Sequence, residues 1–157
     1  MRVSLPVTEI LFYHLERSPL ESVLPGLLGR SLERGWRVVL QVGSDERLEA
    51  LNAHLWAYDD ASFLPHGSAA DGNGEDQPIW LTTGDDNPNG AAVRFLVDGA
   101  EAAEFGGYER MVLMFDAADE QGLAKARVAW KAVRALGLDA TYWQQDENGR
   151  WAKQGER

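Results

Sequence analysis

The sequence predicts a single α/β domain built on a parallel sheet. Three observations carry that expectation: apolar runs of strand length alternate with amphipathic runs of helix length, Gly and Pro punctuate the runs, and no linker or internal repeat divides the 157 residues. A chain of this length buries roughly two-thirds of its unfolded surface around one core. Residues 1–157 are therefore read as one domain.

The run from Thr8 to Tyr13 is apolar and rich in β-formers, as suits a strand buried on both faces. After Pro19, helical spacing of Val23, Leu27, Leu28 and Leu32 predicts a helix that stops at Gly35. Pro25 is an internal breaker, so this helix is expected to begin there or to be kinked. Trp36 to Gly43 reads as a second buried strand. Ser44 and Asp45 are N-cap candidates for a helix carrying Leu48, Leu51, Leu55 and Trp56. The Gly-, Asp- and Ser-rich segment Ser68 to Gln77 has no periodicity and is expected to be a mobile loop. PIWLTT, AAVRFLVD and RMVLMFD predict three further strands. Asp116 and Asp119 flank the start of a last long helix, where carboxylates can cap free N–H groups, and Gly137 closes it. TYWQQDENGRW predicts a hairpin-like strand turning at Asn148-Gly149, with residues 146–157 as an exposed tail.

Composition narrows the function classes. With 45% hydrophobic and 25% charged residues the chain is globular rather than disordered. It contains no cysteine, which excludes a disulfide framework, a thiolate metal site and a thiol nucleophile. The N-terminal apolar stretch is broken by Thr8 and Glu9 and lacks a small-residue cleavage pattern. No apolar run approaches the roughly 18 to 20 residues needed to cross a bilayer. A soluble, cytoplasmic protein is expected. A net charge of −10 repels nucleic acid and anionic membranes at long range.

Catalytic motifs are missing. A phosphate cradle needs glycines where backbone N–H groups converge on an anion, and the HLERSPLE segment after the first strand has none. Gly72 and Gly74 lie in an acidic loop without a following Lys-Ser or Lys-Thr. His14, His54 and His66 are far apart and show no metal-ligand spacing, so they read as ordinary surface or partly packed histidines. The pairs Asp59-Asp60 and Asp85-Asp86 read as solvated loop acids. No Gly-x-Ser-x-Gly elbow occurs. No catalytic residue, metal site or cofactor is expected.

The last helix departs from this pattern. Between Lys125 and Arg134 there are four basic residues and no acidic one. At about 100° per residue, Leu123, Ala126, Ala129 and Val133 form an apolar stripe, with Arg127, Lys131 and Arg134 on the adjoining stripe and Trp130 on the border. One reading is a surface helix whose cations balance nearby acids. The other is a binding slot: the cations hold an acidic peptide or its terminal carboxylate, and Trp130 with the aliphatic stems walls a space for an apolar side chain. A second constellation, Trp56, Tyr58, Phe63, Leu64, Pro65 and His66, reads either as core or as a protein interface. A nucleotide-binding α/β enzyme of unknown reaction, with its site at the carboxyl ends of the strands, is the alternative from another class. Direct single-strand binding through Trp130 and the cations would need more basic surface.

FYHL, RGWRVVLQ, ALNAHLWAYDDASFLPHG, PIWLTT, RMVLMFD and ARVAWKAVRALGLDATYWQQD together resemble, in order and spacing across nearly the whole chain, the chi subunit family of bacterial DNA polymerase III. The resemblance implies a mostly parallel sheet with helices on both faces, Rossmann-like but without a nucleotide loop. It implies an accessory, clamp-loader-associated subunit without chemistry of its own, inside a DNA-directed DNA polymerase (nucleotidyltransferase) assembly. It further implies binding of the acidic, Phe-ended tail of single-stranded-DNA-binding protein, through Arg127, Trp130, Lys131 and Arg134, which links the replicase to coated template and leaves DNA contact mainly indirect. A psi subunit is implied as a second partner, at Trp56 and Phe63, Leu64, Pro65 and His66. The Ser68 to Gln77 loop and the QQDENGRWAKQGER tail depart from the family pattern.

Overall fold

A computed structural model of the chain describes residues 8–57 and 65–154. In chain order the elements are β1 (Glu9–Leu15), α1 (Leu20–Glu33), β2 (Val38–Val42), α2 (Asp45–Ala57), β3 (His66–Ser68), β4 (Ile79–Thr82), β5 (Val93–Val97), β6 (Arg110–Asp116), α3 (Glu120–Ala135), β7 (Asp139–Gln145) and β8 (Trp151–Lys153), with a 3₁₀ turn at Gly74–Asp76. The strands form one sheet in the order β3-β4-β2-β5-β6-β1-β7-β8. Every pairing is parallel except β7 with β8.

Alternation along the strands builds two cores. Leu11 and Leu15 of β1 pack with Leu24 and Leu28 of α1 and Leu51 and Leu55 of α2. Ile10 and Phe12 point to the opposite face and pack with Ala126 and Val133 of α3. Helices therefore lie on both faces, as expected; where α3 does not reach, loops close the second face over β2 and β5, with Gln41 Nε2 donating to Glu101 O and Arg94 to the carbonyls of Gly84 and Asp86, so both strands are buried throughout.

α1 runs through Pro25 instead of starting there. A proline has no N–H to give the carbonyl four residues earlier, here Glu21. His54 of α2 occupies that carbonyl through Nε2 at 2.8 Å. The same helix ends in a Schellman motif: Gly35 N–H donates to Leu32 O and Trp36 N–H to Ser31 O, with Gly35 at φ 82°. α3 ends the same way, Gly137 donating to Arg134 O and Leu138 to Val133 O.

At the start of α2, the Arg47 N–H donates to Ser44 Oγ at 3.2 Å, the cap the sequence predicts. At α3 the expected cap is different. Asp119 occupies the N-cap position but its side chain makes no capping bond. Its carboxylate lies over Gly122, where a Cβ would come within 2.7 Å of Oδ2. Asp116 acts one turn earlier, accepting the Ala118 N–H at 2.8 Å.

Ser68, read as loop, is the last residue of β3, a strand too short and polar to show periodicity. The following segment is tied by Gln77 Nε2 to Gly72 O and by Arg37 Nη1 to Glu75 O. Within residues 146–157, read as a tail, Trp151–Lys153 is the sheet's eighth strand. Trp151 stays there because its ring meets Tyr13 edge-on at 4.9 Å. The turn before it has Gly149 at φ 77°, and the Asp146 carboxylate accepts the N–H groups of Asn148 and Arg150.

Candidate functional site

α3 packs closely on the sheet because Gly122, Ala126 and Val133 are small where they meet it. The four predicted apolar positions, Leu123, Ala126, Ala129 and Val133, all belong to this second core. Trp130 is half-buried at the edge, meeting Phe12 edge-on at 5.1 Å and Tyr142 at 5.9 Å. Arg127, Lys131 and Arg134 are exposed. Among the described residues none of these three cations has a carboxylate within ion-pair distance. Lys125 differs: it faces the other way, to Glu101 at 3.7 Å and Gly99 O at 3.1 Å.

A pocket of about 390 Å³ opens beside this helix. Arg127, Trp130 and Lys131 form one wall, and Phe115 with Tyr142 the apolar part of the floor. Arg134 does not line it; its guanidinium lies 5.8 Å from the Trp130 ring centroid and braces that wall from behind. Sequence reasoning missed the opposite wall, His14, Gln144 and Gln154. His14 and Gln144 are about as far apart in the chain as residues can be, yet they are register partners on β1 and β7. Their signal was the alternation Phe12, His14 and Tyr142, Gln144, which puts both pairs on the α3 face once β1 and β7 are neighbours.

His14 Nδ1 is approached by the Tyr142 hydroxyl at 2.7 Å and by Gln144 Nε2 at 3.1 Å. The Gln144 amide N–H can only donate, so this contact is made by the neutral ring with Nδ1 as acceptor. Burial pushes the His14 pKa down, against the opposing pull of Glu16 and Asp116. The pocket thus has permanent cations on the helix wall and a neutral imidazole on the strand wall.

The second expected surface is partly described. Trp56 is 50% exposed and its ring sits 4.2 Å from that of His66, which is itself buried. Pro65 precedes His66 at the edge strand β3, while Tyr58, Phe63 and Leu64 lie outside the described residues. Six strand positions separate β3 from β7, on the order of 30 Å.

A cavity of about 590 Å³ lies at the carboxyl ends of β1, β5 and β6. There α1 departs on one face and α3 on the other, the position where open α/β sheets bind ligands. Its charged lining is Glu21, Asp98, Glu101, Asp116 and Asp119 against Arg47 and Lys125. Arg47 is already engaged, with Glu21 at 2.6 Å and Asp98 at 3.2 Å. Asp98 has φ 52° and its carbonyl lies 1.9 Å from where a Cβ on Gly43 would be. Glycine here serves close packing of two strand ends, and a phosphate would meet a surplus of carboxylates.

A family model described as DNA polymerase III chi subunit, HolC, matches residues 7–141. The protein named "Probable DNA polymerase III subunit chi" of Rickettsia prowazekii (strain Madrid E) is 28% identical to this chain over 92 residues, 59% of this chain and 56% of that protein. The match thus spans little more than half of that relative's length.

Proposed function

Because the chain belongs to the DNA polymerase III chi subunit family, we propose that it is a cytoplasmic, non-catalytic accessory subunit of the replicase. Its task is to bind the acidic C-terminal tail of single-stranded-DNA-binding protein and so link the polymerase, through the clamp loader, to coated template. The observation that carries this reading is the α3 pocket, where Arg127 and Lys131, with no carboxylate partner among the described residues, stand with Trp130 over an apolar floor of Phe115 and Tyr142. Such a site suits a peptide that ends in an apolar side chain and a carboxylate. Charge-assisted hydrogen bonds of about 1.5 to 3 kcal/mol each supply part of the roughly 8 kcal/mol that a micromolar complex needs, and burial of the terminal apolar side chain supplies the rest. Arg134 serves as the brace of Trp130 rather than as a direct contact.

Trp56, Pro65 and His66, with Phe63 and Leu64, are proposed as the surface for a psi-like subunit. Its separation from the pocket allows both partners to bind at once. Calorimetric titration with the tail peptide tests the first surface: Arg127→Ala and Lys131→Ala are each expected to weaken binding by at least about 1.5 kcal/mol with unfolding transitions unchanged. A peptide lacking its terminal apolar residue should bind more weakly as well. Unchanged affinity in both variants would sink the assignment.

A further inference from the structure

A basic cavity of about 380 Å³ lies on the α1 side of the sheet, away from both surfaces above. α1 leads from the end of β1 to the start of β2, so its last turns reach the amino ends of the strands and bring Arg30 and Arg34 beside Arg110 of β6 and Tyr13 of β1. Arg110 Nε is buried without a hydrogen-bond partner among the described residues. Its guanidinium meets a carboxylate through Nη2, 3.4 Å from Glu9 Oε2. Among the described residues Arg30 and Arg34 have no carboxylate within ion-pair distance. Arg34 and Arg110 also lie over the Trp36 ring, at 4.1 and 5.2 Å from its centroid.

Three guanidinium groups gathered at one cavity repel one another, and Glu9 with the cavity-lining Glu33 offsets them only in part. A buried donor left unpaired is a further unfavourable feature. A multiply charged, tetrahedral oxyanion relieves both, since its several oxygens can accept from guanidinium forks arriving from different directions. The helix dipole is unfavourable to an anion here, but its last carbonyls are taken up by the Schellman bonds. Beside the cavity Tyr13 stacks on Trp143 at 6.1 Å and meets Trp151 edge-on, all three rings partly exposed on a part of the sheet packed by aromatics. Cations next to aromatic faces are what a nucleotide phosphate with its base requires.

We infer that the cavity between α1 and β6 is a phosphate-group site formed by Arg30, Arg34 and Arg110. The phosphate belongs either to a small free anion or to the phosphodiester of a single strand, and the two sources are separable. The full chain is titrated with inorganic phosphate and pyrophosphate, followed by amide chemical shifts, and with a fluorescent oligothymidylate of roughly ten residues, followed by anisotropy. Shifts centred on residues 30–36 and 110 are expected, with affinity about tenfold lower in the R30Q/R34Q double variant and in R110Q. The double variant changes only exposed positions, one on α1 and one at its C-cap, and its fold is checked by its unfolding transition; its affinity for the tail peptide should not change. Oligonucleotide displaced by pyrophosphate assigns the site to a phosphodiester, whereas phosphate binding without oligonucleotide binding assigns it to a small anion. Absence of binding by every probe at millimolar concentration, or affinity equal in wild type and both variants, overturns the inference.

Discussion

Replacing Arg47 by Met should cost the fold about 2 kcal/mol at neutral pH and almost nothing in acid. Arg47 sits at the mouth of the switch-point crevice, and its guanidinium joins α2 to Glu21 of α1 and to Asp98 after β5. The Arg47–Glu21 pair is more than a third exposed on both sides, so solvent screening limits it to about 1 kcal/mol or less. Asp98 is only 22% exposed, and leaving its charge unpartnered costs about 1 to 2 kcal/mol more. For a domain of this size the sum lowers Tm by roughly 4 to 8 °C. Hydrogen bonding from Arg47 holds the Glu21 carboxyl below its ordinary value, so that contribution is present above about pH 4.5 and is lost as pH falls through the folded-state pKa. Burial pushes Asp98 upward, with Arg47 opposing it, so ionisation of Asp98 weakens the fold as pH rises through its folded-state value, and more so without Arg47. Both effects make the difference between wild type and Arg47→Met shrink when the carboxylates are protonated. Urea unfolding of the two proteins at pH 7 and near pH 3 measures this. An equal difference at both pH values would refute the electrostatic account and leave lost side-chain packing as the cause.

Four further outcomes are expected. His54→Ala should cost about 1 kcal/mol because Glu21 O loses its donor, and the cost should fall in a Pro25→Ala background, where the helix supplies its own N–H; a double-mutant cycle in denaturant reads the coupling. Gly137→Ala places a Cβ at φ 73° in open space, so only the backbone penalty of about 1 kcal/mol applies, measured by the denaturation midpoint. Trp130→Ala removes edge contacts to Phe12 and Tyr142 and should lower both stability, by about 3 kcal/mol, and peptide affinity, whereas Arg127→Ala lowers affinity alone. The depressed pKa of His14 means that the unfolded chain takes up this proton first, so stability falls as pH drops from about 6.5 through the folded-state value; His14→Leu should flatten that part of the stability profile.

The sheet and its helices were legible because burial on two faces leaves apolar runs such as Val38–Val42, and because Gly35 and Gly137 stand where Schellman caps need positive φ. The course of α1 was not legible, since whether Pro25 breaks the helix depends on His54, a residue from another element. β3 escaped because three residues, His-Gly-Ser, carry no alternation to detect. Arg94, inside a strand read as apolar, is 3% exposed. It bonds Gln41 Oε1, the carbonyls of Gly84 and Asp86 and the Tyr108 hydroxyl, which pins two loops over the half of the sheet that α3 leaves uncovered. Half of the α3 pocket followed from periodicity within one helix. The other half is a matter of which strands are neighbours, and local pattern does not encode that.

The position of β1 between β6 and β7 has a consequence for synthesis of the protein. β1 is made about a hundred residues before β6 and still longer before β7, and must wait for both neighbours. Pairing over such sequence separation is slow and leaves apolar edges open to wrong partners, so the nascent chain is most vulnerable to aggregation until Asp139–Gln145 has emerged. His14 and Gln144 meet only at that moment. The α3 pocket therefore comes into being only when β7 joins β1, and a truncated or half-folded chain would have the basic helix but no opposite wall.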